Sequence, residues 1–228
     1  MRVLVTGGSG VLGRGTVPLL RDAGHDVQAP RSRELDLFDA AAVEEAARGV
    51  DAIYHLATRI PPPESQGDRE AWRDNDRLRT EATPLLVDAA LGGTASCFVY
   101  PSVAFVYPTS GTVDETTPVA GEIPEITSST LDAEREVARF GDTGGGRGVV
   151  LRLGLLYGPG TGSDEPAERF RSYGATLRIE DACSALAAAA AVPGGIYNVV
   201  SDGERVSNRR FQEATGWRAE HSPEASRS

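Results

Sequence analysis

The stretch Val3-Leu-Val-Thr-Gly-Gly-Ser-Gly-Val-Leu-Gly-Arg14 combines an apolar run, a glycine-rich turn and the start of an apolar, helix-compatible segment. Three of its four glycines are regularly spaced, at Gly7, Gly10 and Gly13. Because glycine has no Cβ, the backbone can approach a pyrophosphate closely, and the free N–H groups of the helix N-terminus then stabilise its charge. The stretch therefore predicts a strand, a phosphate-binding turn and a helix.

Each glycine has a separate predicted role in such a turn. Gly7 makes the turn, Gly10 permits close approach of a ligand, and Gly13 lets the helix pack on the strand. A glycine triplet alone is also typical of a flexible loop. Its position between a buried strand and an amphipathic helix favours nucleotide binding.

The bulk composition limits the classes of partner. The 228 residues are 40% hydrophobic, which predicts a soluble globular chain with a real core. The formal net charge of −10 and the absence of a basic stripe argue against nucleic acid or an anionic membrane, and favour a small-molecule substrate. Because no apolar run reaches membrane-spanning length, we expect a cytoplasmic protein. The two cysteines lack metal-ligand spacing, so no metal site is expected.

The basic residues are unusual in one respect. All 23 residues in the Lys+Arg total are arginines, so the sequence contains no lysine. Any mechanism that requires an ammonium side chain is excluded.

Strand-like and helix-like segments alternate along the first two thirds of the chain. This alternation predicts an α/β fold of the Rossmann type, with a doubly wound parallel sheet and a small, reduced C-terminal substrate lobe. We expect a dinucleotide-binding domain over residues 1–158, a lobe interleaved with the sheet over 159–218, and a frayed polar tail over 219–228. The segment from Glu70 to Leu91 is helical in pattern but contains Pro84, which predicts a kink or two helices.

Several blocks, in order along nearly the whole chain, resemble the extended short-chain dehydrogenase/reductases, the NAD-dependent epimerase/dehydratase group. They are residues 6–13 (TGGSGVLG), 36–37 (DL), 55–58 (HLAT), 157–160 (YGPG) preceded by Arg152, 179–181 (IED) and 197–199 (YNV). The resemblance implies cofactor contacts from Gly7, Gly10, Val11, Leu12, Gly13, Asp36, Leu37, Leu56, Ala57 and Thr58. It also implies a homodimer built on the helices around residues 70–91 and 129–140.

The catalytic residues that the resemblance implies are missing. The family uses a Tyr-x-x-x-Lys pair and a nearby serine or threonine. Aligning Glu134 with the glutamate that follows this pair places Thr130 at the lysine position and Ile126 at the tyrosine position. Val103 occupies the expected serine position, one residue from Ser102. Either other groups supply the proton, or the reaction does not need it.

Four residues are candidates for the chemistry. Ser102 is predicted at the C-terminal end of a strand, where its hydroxyl can donate to a carbonyl. Tyr107 is a second catalytic candidate, although a tyrosine in such a segment is also typical of half-buried packing. Arg59 is predicted to contact an anion or the substrate, and Tyr157 the substrate.

Coenzyme preference is predicted from the end of the second strand. Arg31 and Arg33 lie where an arginine accommodates a 2′-phosphate, which favours NADP. Glu34 keeps NAD as the alternative.

Three functions are compatible with these residues. The first is an atypical NAD(P)-binding oxidoreductase or epimerase acting on a small carbonyl or hydroxyl compound, in a specialised biosynthetic pathway. The second is a non-redox enzyme on the same scaffold, catalysing cyclisation, dehydration or isomerisation. The third is a non-catalytic protein that senses a dinucleotide.

Overall fold

The computed structural model describes residues 1–120, 125–144, 146–166 and 174–221. Its centre is a parallel sheet of six strands in the order β2-β1-β3-β4-β5-β8. The bounds of these strands are β1 Arg2–Thr6, β2 Asp26–Gln28, β3 Ala52–His55, β4 Cys97–Val103, β5 Arg147–Leu153 and β8 Gly195–Val199. The predicted Rossmann-type sheet is confirmed.

The helices cover both faces of this sheet. Their bounds are α1 Val11–Asp22, α2 Ala40–Ala47, α3 Arg73–Arg77, α4 Thr83–Leu91, α5 Glu125–Gly144, α6 Ile179–Ala188 and α7 Arg209–Thr215. Leu20, Leu186 and Phe211 from α1, α6 and α7 belong to one buried layer. Val43, Leu86 and Phe140 from α2, α4 and α5 belong to the other. Two apolar layers explain why the strands read as continuous apolar runs rather than alternating ones.

The segment around Pro84 contains two helices, one of the two predicted outcomes. A short 3₁₀ turn, Glu70–Trp72, leads into α3, and a π-helical turn, Leu78–Ala82, separates α3 from α4. Pro84 lies in the first turn of α4. Ala82, the residue before α4, is itself in the αR region, so helical backbone continues into α4, and the π-helical turn directly before it is the local irregularity that accompanies the proline.

The fifth strand is shorter than its apolar pattern predicts. The run from Gly148 to Leu155 predicts one strand, but β5 ends at Leu153. Gly154 separates it from β6 (Leu155–Tyr157), which pairs with β7 (Thr176–Arg178) in a second, two-stranded sheet. A Cβ at Gly154 would lie 2.8 Å from the carbonyl carbon of Thr176, so the chain crosses there with no room for a side chain.

The C-terminal segment returns to the main sheet through β8, which pairs with β5. Glu115 covers the outer side of β8, where its Oε1 accepts a hydrogen bond of 2.7 Å from the backbone N–H of Asn198. Residues 219–221, predicted to be frayed, are held by Asp181, whose carboxylate accepts from the backbone N–H groups of Glu220 (3.0 Å) and His221 (3.1 Å). Residues 222–228 of the predicted tail lie outside the described residues.

Candidate functional site

The glycine turn follows β1 at the C-terminal edge of the sheet. Gly7 has φ of +73°, and a Cβ there would lie 2.5 Å from the backbone nitrogen of Ala57. A Cβ at Gly13 would lie 2.3 Å from the Gly7 carbonyl oxygen. The protein's own backbone thus requires both glycines.

Gly10 differs from these two. A Cβ at Gly10 would meet only the Gly7 carbonyl oxygen, at 3.1 Å. Gly10 is also the N-cap of α1, and no side chain caps its first turn, which contains no acidic residue. The first N–H groups of α1, those of Val11, Leu12 and Gly13, are therefore available to an anion.

A cleft of about 680 Å³ opens beside the turn. In the strand order of the sheet, β2 lies on one side of β1 and β3 on the other, so the order reverses between β1 and β3. The cleft lies at this switch point, which is where doubly wound sheets bind ligands. Eight predicted site residues line it: Gly7, Gly10, Asp36, Leu37, Leu56, Ala57, Thr58 and Arg59. The open Gly10 position, the uncapped helix and the length of this lining fit a dinucleotide.

Arg31 and Arg33 lie on the exposed loop at one end of the cleft, next to the lining residue Ser32. Glu34 interacts with this loop: its Oε2 accepts from the Arg31 backbone N–H (2.9 Å), and its Oε1 lies 3.6 Å from Arg33 Nε. The Arg31 hydrogen bond and the neighbouring arginines lower the pKa of Glu34. The Glu34 carboxylate, which would favour NAD by binding the ribose 2′-OH, is therefore already hydrogen-bonded within its own loop.

Ser102 is buried at the end of β4, on the side facing α5, and does not line the cleft. Its hydroxyl donates to Glu134 Oε1 and lies 3.3 Å from Thr130 Oγ1. Glu134 also accepts two hydrogen bonds from Arg152. The Ser102 hydroxyl is therefore hydrogen-bonded to the buried Glu134–Arg152 ion pair.

Tyr107 is also buried, in the same network. Its hydroxyl donates to Asn198 Oδ1 at 2.9 Å, and the Arg152 guanidinium lies 4.9 Å from its ring centroid. Burial raises the pKa of Tyr107. Ser102 and Tyr107 are thus brought together through Arg152, but neither lines the cleft.

Sequence reasoning missed a buried arginine next to the vacant lysine position. Thr130 lies 3.4 Å from the Tyr100 hydroxyl. Arg79, in the π-helical turn, donates through Nη1 to Ser129 Oγ at 3.1 Å, and Ser129 in turn donates to Asp76 Oδ1 at 2.6 Å. The only signal in the sequence was the complete replacement of lysine by arginine. Ile126 lies in α5, but its side chain is outside the described part of the chain.

His55 has a structural role at the end of β3. Its Nδ1 lies 2.7 Å from Thr6 Oγ1, and its Nε2 lies 3.4 Å from the Leu78 carbonyl oxygen. A carbonyl only accepts, so Nε2 carries the proton and Nδ1 accepts from the threonine. Burial lowers the pKa of His55 to about 4, which keeps the ring neutral.

The two predicted substrate residues lie apart. Arg59 lines the cleft, and its backbone N–H donates to Asn75 Oδ1 at 3.0 Å. Tyr157 is buried in β6 and does not line that cleft. Residues 167–173 of the predicted C-terminal substrate lobe, 159–218, lie outside the described residues.

Comparison with known proteins decides the family. Residues 3–176 match the model of the NAD dependent epimerase/dehydratase family. The chain belongs to the NAD dependent epimerase/dehydratase family. The resemblance carried by the separate sequence blocks is therefore confirmed.

One curated relative of this epimerase/dehydratase-family chain is a 3-diazoavenalumate denitrifying reductase from a Streptomyces species. It is 36% identical over 183 residues, which cover 71% of this chain and 58% of the relative. The chain thus matches little more than half of the length of that reductase.

Solved structures share the fold at low identity. An NAD-bound short-chain dehydrogenase/reductase superfamily protein from Agrobacterium tumefaciens superposes with a TM-score of 0.79 at 19% identity, covering 98% of this chain and 94% of that one. RMD from Pseudomonas aeruginosa, in complex with NADPH, gives 0.75 at 21%, covering 99% and 94%. One neighbour carries NAD and the other NADPH.

The described part of the epimerase/dehydratase-family chain contains neither a candidate metal site nor a candidate membrane-spanning helix. No cluster of His, Cys, Asp and Glu there has the geometry to hold a metal ion. Among the described helices, none combines the length and apolarity needed to cross a bilayer.

Proposed function

We propose that the chain is an NADP-preferring reductase that transfers a hydride to a small electrophilic compound, with a nonstandard source of the proton. The observation that carries the proposal is the pairing of an open phosphate turn at Gly10 with a site that lacks the family's tyrosine and lysine. A bound nicotinamide dinucleotide supplies the hydride.

The residues of this chain would hold the dinucleotide along the cleft. The first N–H groups of α1 bind the pyrophosphate, and Asp36 and Leu37 border the adenosine end. Arg31 and Arg33 bind a 2′-phosphate, which is the basis for preferring NADP over NAD. Arg59 faces the cleft and contacts the substrate or one of its anionic groups.

Where the product needs a proton, Ser102 is the proposed donor; because Ser102 is buried and does not line the cleft, this role requires a substrate that reaches the end of β4. Its hydroxyl lies at the C-terminal end of β4, donates to Glu134 and lies 3.3 Å from Thr130 Oγ1; water would have to replace a proton given to the product. Tyr107 belongs to the same network, because its ring contacts the guanidinium of Arg152. A positioned proton donor is worth about 10² to 10⁴ in rate, so Ser102→Ala should lower kcat in that range without changing NADPH affinity.

A diazo compound is the second candidate substrate, favoured by the name of the Streptomyces relative together with the missing pair. An arenediazonium ion that takes up a hydride becomes the arene and N₂ (ArN₂⁺ + H⁻ → ArH + N₂). No carbonyl oxygen has to be protonated in this reaction. A site without tyrosine and lysine would therefore be adequate for it.

The testing experiment is a titration of the purified chain with NADPH and NADH, followed by nicotinamide fluorescence. NADPH oxidation is then measured with a panel of small aldehydes, ketones and arenediazonium salts. Binding with oxidation of NADPH supports the reductase. Binding without turnover of any compound would favour the dinucleotide-sensing alternative, and turnover without net NADPH consumption the non-redox alternative. Lack of binding to either coenzyme would overturn the proposal.

The homodimer implied by the resemblance remains a prediction. Outward-facing groups on α4 and α5 include the ion pair between Asp88 and Arg139, at 2.7 Å. Sedimentation of the purified chain tests whether two copies associate.

A further inference from the structure

A stacked pair of side chains borders the cleft at the end that adjoins β2. The guanidinium carbon of Arg77 lies 4.2 Å from the centroid of the Phe38 ring. Both residues line the cleft, together with Pro30 and Leu35. The Phe38 residue is 38% exposed and the Arg77 side chain 42% exposed, so the pair is open to the cleft rather than enclosed in the core.

One edge of the Arg77 guanidinium, formed by Nε and Nη2, is already occupied. Its Nε donates to Glu81 Oε1 and its Nη2 to Glu81 Oε2, each at 3.0 Å. A bidentate pair of this kind fixes the plane of the guanidinium and offsets its charge. Phe38 then supports one face of that plane, which makes Arg77 a pre-organised flat surface.

We propose that Arg77, held between Phe38 and Glu81, is the stacking surface for the adenine ring of the dinucleotide. This inference rests on the proposed function, since it requires a bound dinucleotide. Arginine guanidinium planes and aromatic rings both stack on nucleic-acid bases, and such stacking tolerates a neutral ligand. The uncharged adenine ring suits the face of the Arg77 guanidinium, because the charge of that guanidinium is offset by Glu81.

The surroundings disfavour a phosphate at the same place. Phosphate recognition by arginine uses an N–H edge of the guanidinium, and Glu81 occupies the edge of Arg77 formed by Nε and Nη2. The cleft near Arg77 also contains the carboxylates of Asp36 and Asp74. A 2′-phosphate would be repelled by these charges, so Arg77 is assigned to the base, leaving a 2′-phosphate to Arg31 and Arg33.

The test is equilibrium binding of NADPH, NADH and 5′-AMP to the full chain, which needs no substrate. Arg77→Met removes the plane and should weaken all three ligands by about tenfold. Arg77→Lys keeps the charge without the plane and should not restore binding. Arg73→Met is the matched control, because Arg73 is an exposed arginine of the same helix that does not line the cleft.

The alternative outcomes separate clearly. Unchanged binding by Arg77→Met, or full restoration by Arg77→Lys, would overturn the stacking role, and a loss confined to NADPH would assign Arg77 to the 2′-phosphate instead. If Arg77→Met loses thermal stability, Phe38→Leu gives a second test, with an expected loss for the same three ligands. Failure of the unmodified chain to bind any of them would overturn the proposed function itself.

Discussion

Arg152 forms a bidentate ion pair with Glu134 through one edge of its guanidinium: Nε lies 3.0 Å from Oε1 and Nη2 lies 2.6 Å from Oε2. Both side chains are nearly inaccessible, at 5% and 7% exposure. The pair joins β5 to α5 beneath Ser102. Burial alone would lower the pKa of Arg152, but the hydrogen bonds and the charge of Glu134 outweigh it and raise that pKa, so the guanidinium stays charged.

Replacing Glu134 with leucine should therefore be strongly destabilising. Removing one partner leaves a buried, uncompensated charge, which costs about 3–5 kcal/mol in the free energy of unfolding. Urea denaturation measures this change. The matched control is Glu213→Ala, which breaks the exposed pair Arg209–Glu213 and should leave the free energy of unfolding nearly unchanged. Equal losses in the two variants would contradict a special role for the buried pair.

Gly10→Asp and Gly13→Ala should separate binding from folding. At Gly10 a side chain meets only one backbone oxygen, so the variant should fold but repel a pyrophosphate through its carboxylate. At Gly13 even a methyl group would overlap the Gly7 carbonyl, so the melting temperature should fall sharply. Thermal unfolding and NADPH titration distinguish the two effects. A Gly10→Asp variant that still binds NADPH would show that the turn does not hold the pyrophosphate.

The neutral state of His55 predicts an acid-dependent loss of stability. Its pKa falls from 6.5 to about 4 on burial, so the unfolded chain binds a proton at this residue more readily than the folded chain. Stability contributed by this residue is complete above pH 6.5 and decreases as the pH falls towards 4, by about 3 kcal/mol in total. Urea denaturation of the unmodified chain and of His55→Gln between pH 7 and 4.5 gives the difference. Parallel pH profiles for the two proteins would rule out the assignment.

Coenzyme preference should depend on the loop after β2. Replacing both Arg31 and Arg33 with alanine should weaken NADPH by about tenfold or more and leave NADH nearly unchanged, because only NADPH carries the 2′-phosphate. Arg48→Ala provides a control, since Arg48 is an exposed arginine paired with Glu45 that does not line the cleft. Dissociation constants from nicotinamide fluorescence test the ratio. Equal losses for the two coenzymes would remove the basis for an NADP preference.

The glycine turn could be predicted from sequence because its causes are local. The separate roles of Gly7, Gly10 and Gly13 follow from a few neighbouring residues. The structure shows the turn at Gly7 and the close backbone approach at Gly13, and the ligand-binding role of Gly10 stays a prediction. The end of β5 could not be predicted in the same way. The apolar pattern of β5 continues past Gly154. The strand stops because the backbone of Thr176, distant in sequence, passes so close to Gly154 that no side chain would fit there.

The buried network behind β4 was also beyond sequence reasoning. It depends on Tyr100, Thr130 and Arg79, which come from β4, α5 and the π-helical turn. A motif search can report that the lysine is missing, but not that a guanidinium from another element lies beside Ser129. The stack of Arg77 on Phe38 was missed for the same reason, since 39 positions separate the two residues in the sequence.

The contact between Glu115 and Asn198 also bears on self-association. β8 is an edge strand, and an unpaired backbone N–H on such a strand is a template for β-pairing with another copy of the chain. The Glu115 carboxylate occupies the N–H of Asn198 and places an anionic group where an incoming strand would have to lie. Burial raises the pKa of Glu115, so this protection weakens as the solution becomes acidic. We therefore expect the Glu115 carboxylate to protect this edge better at neutral pH than in acid.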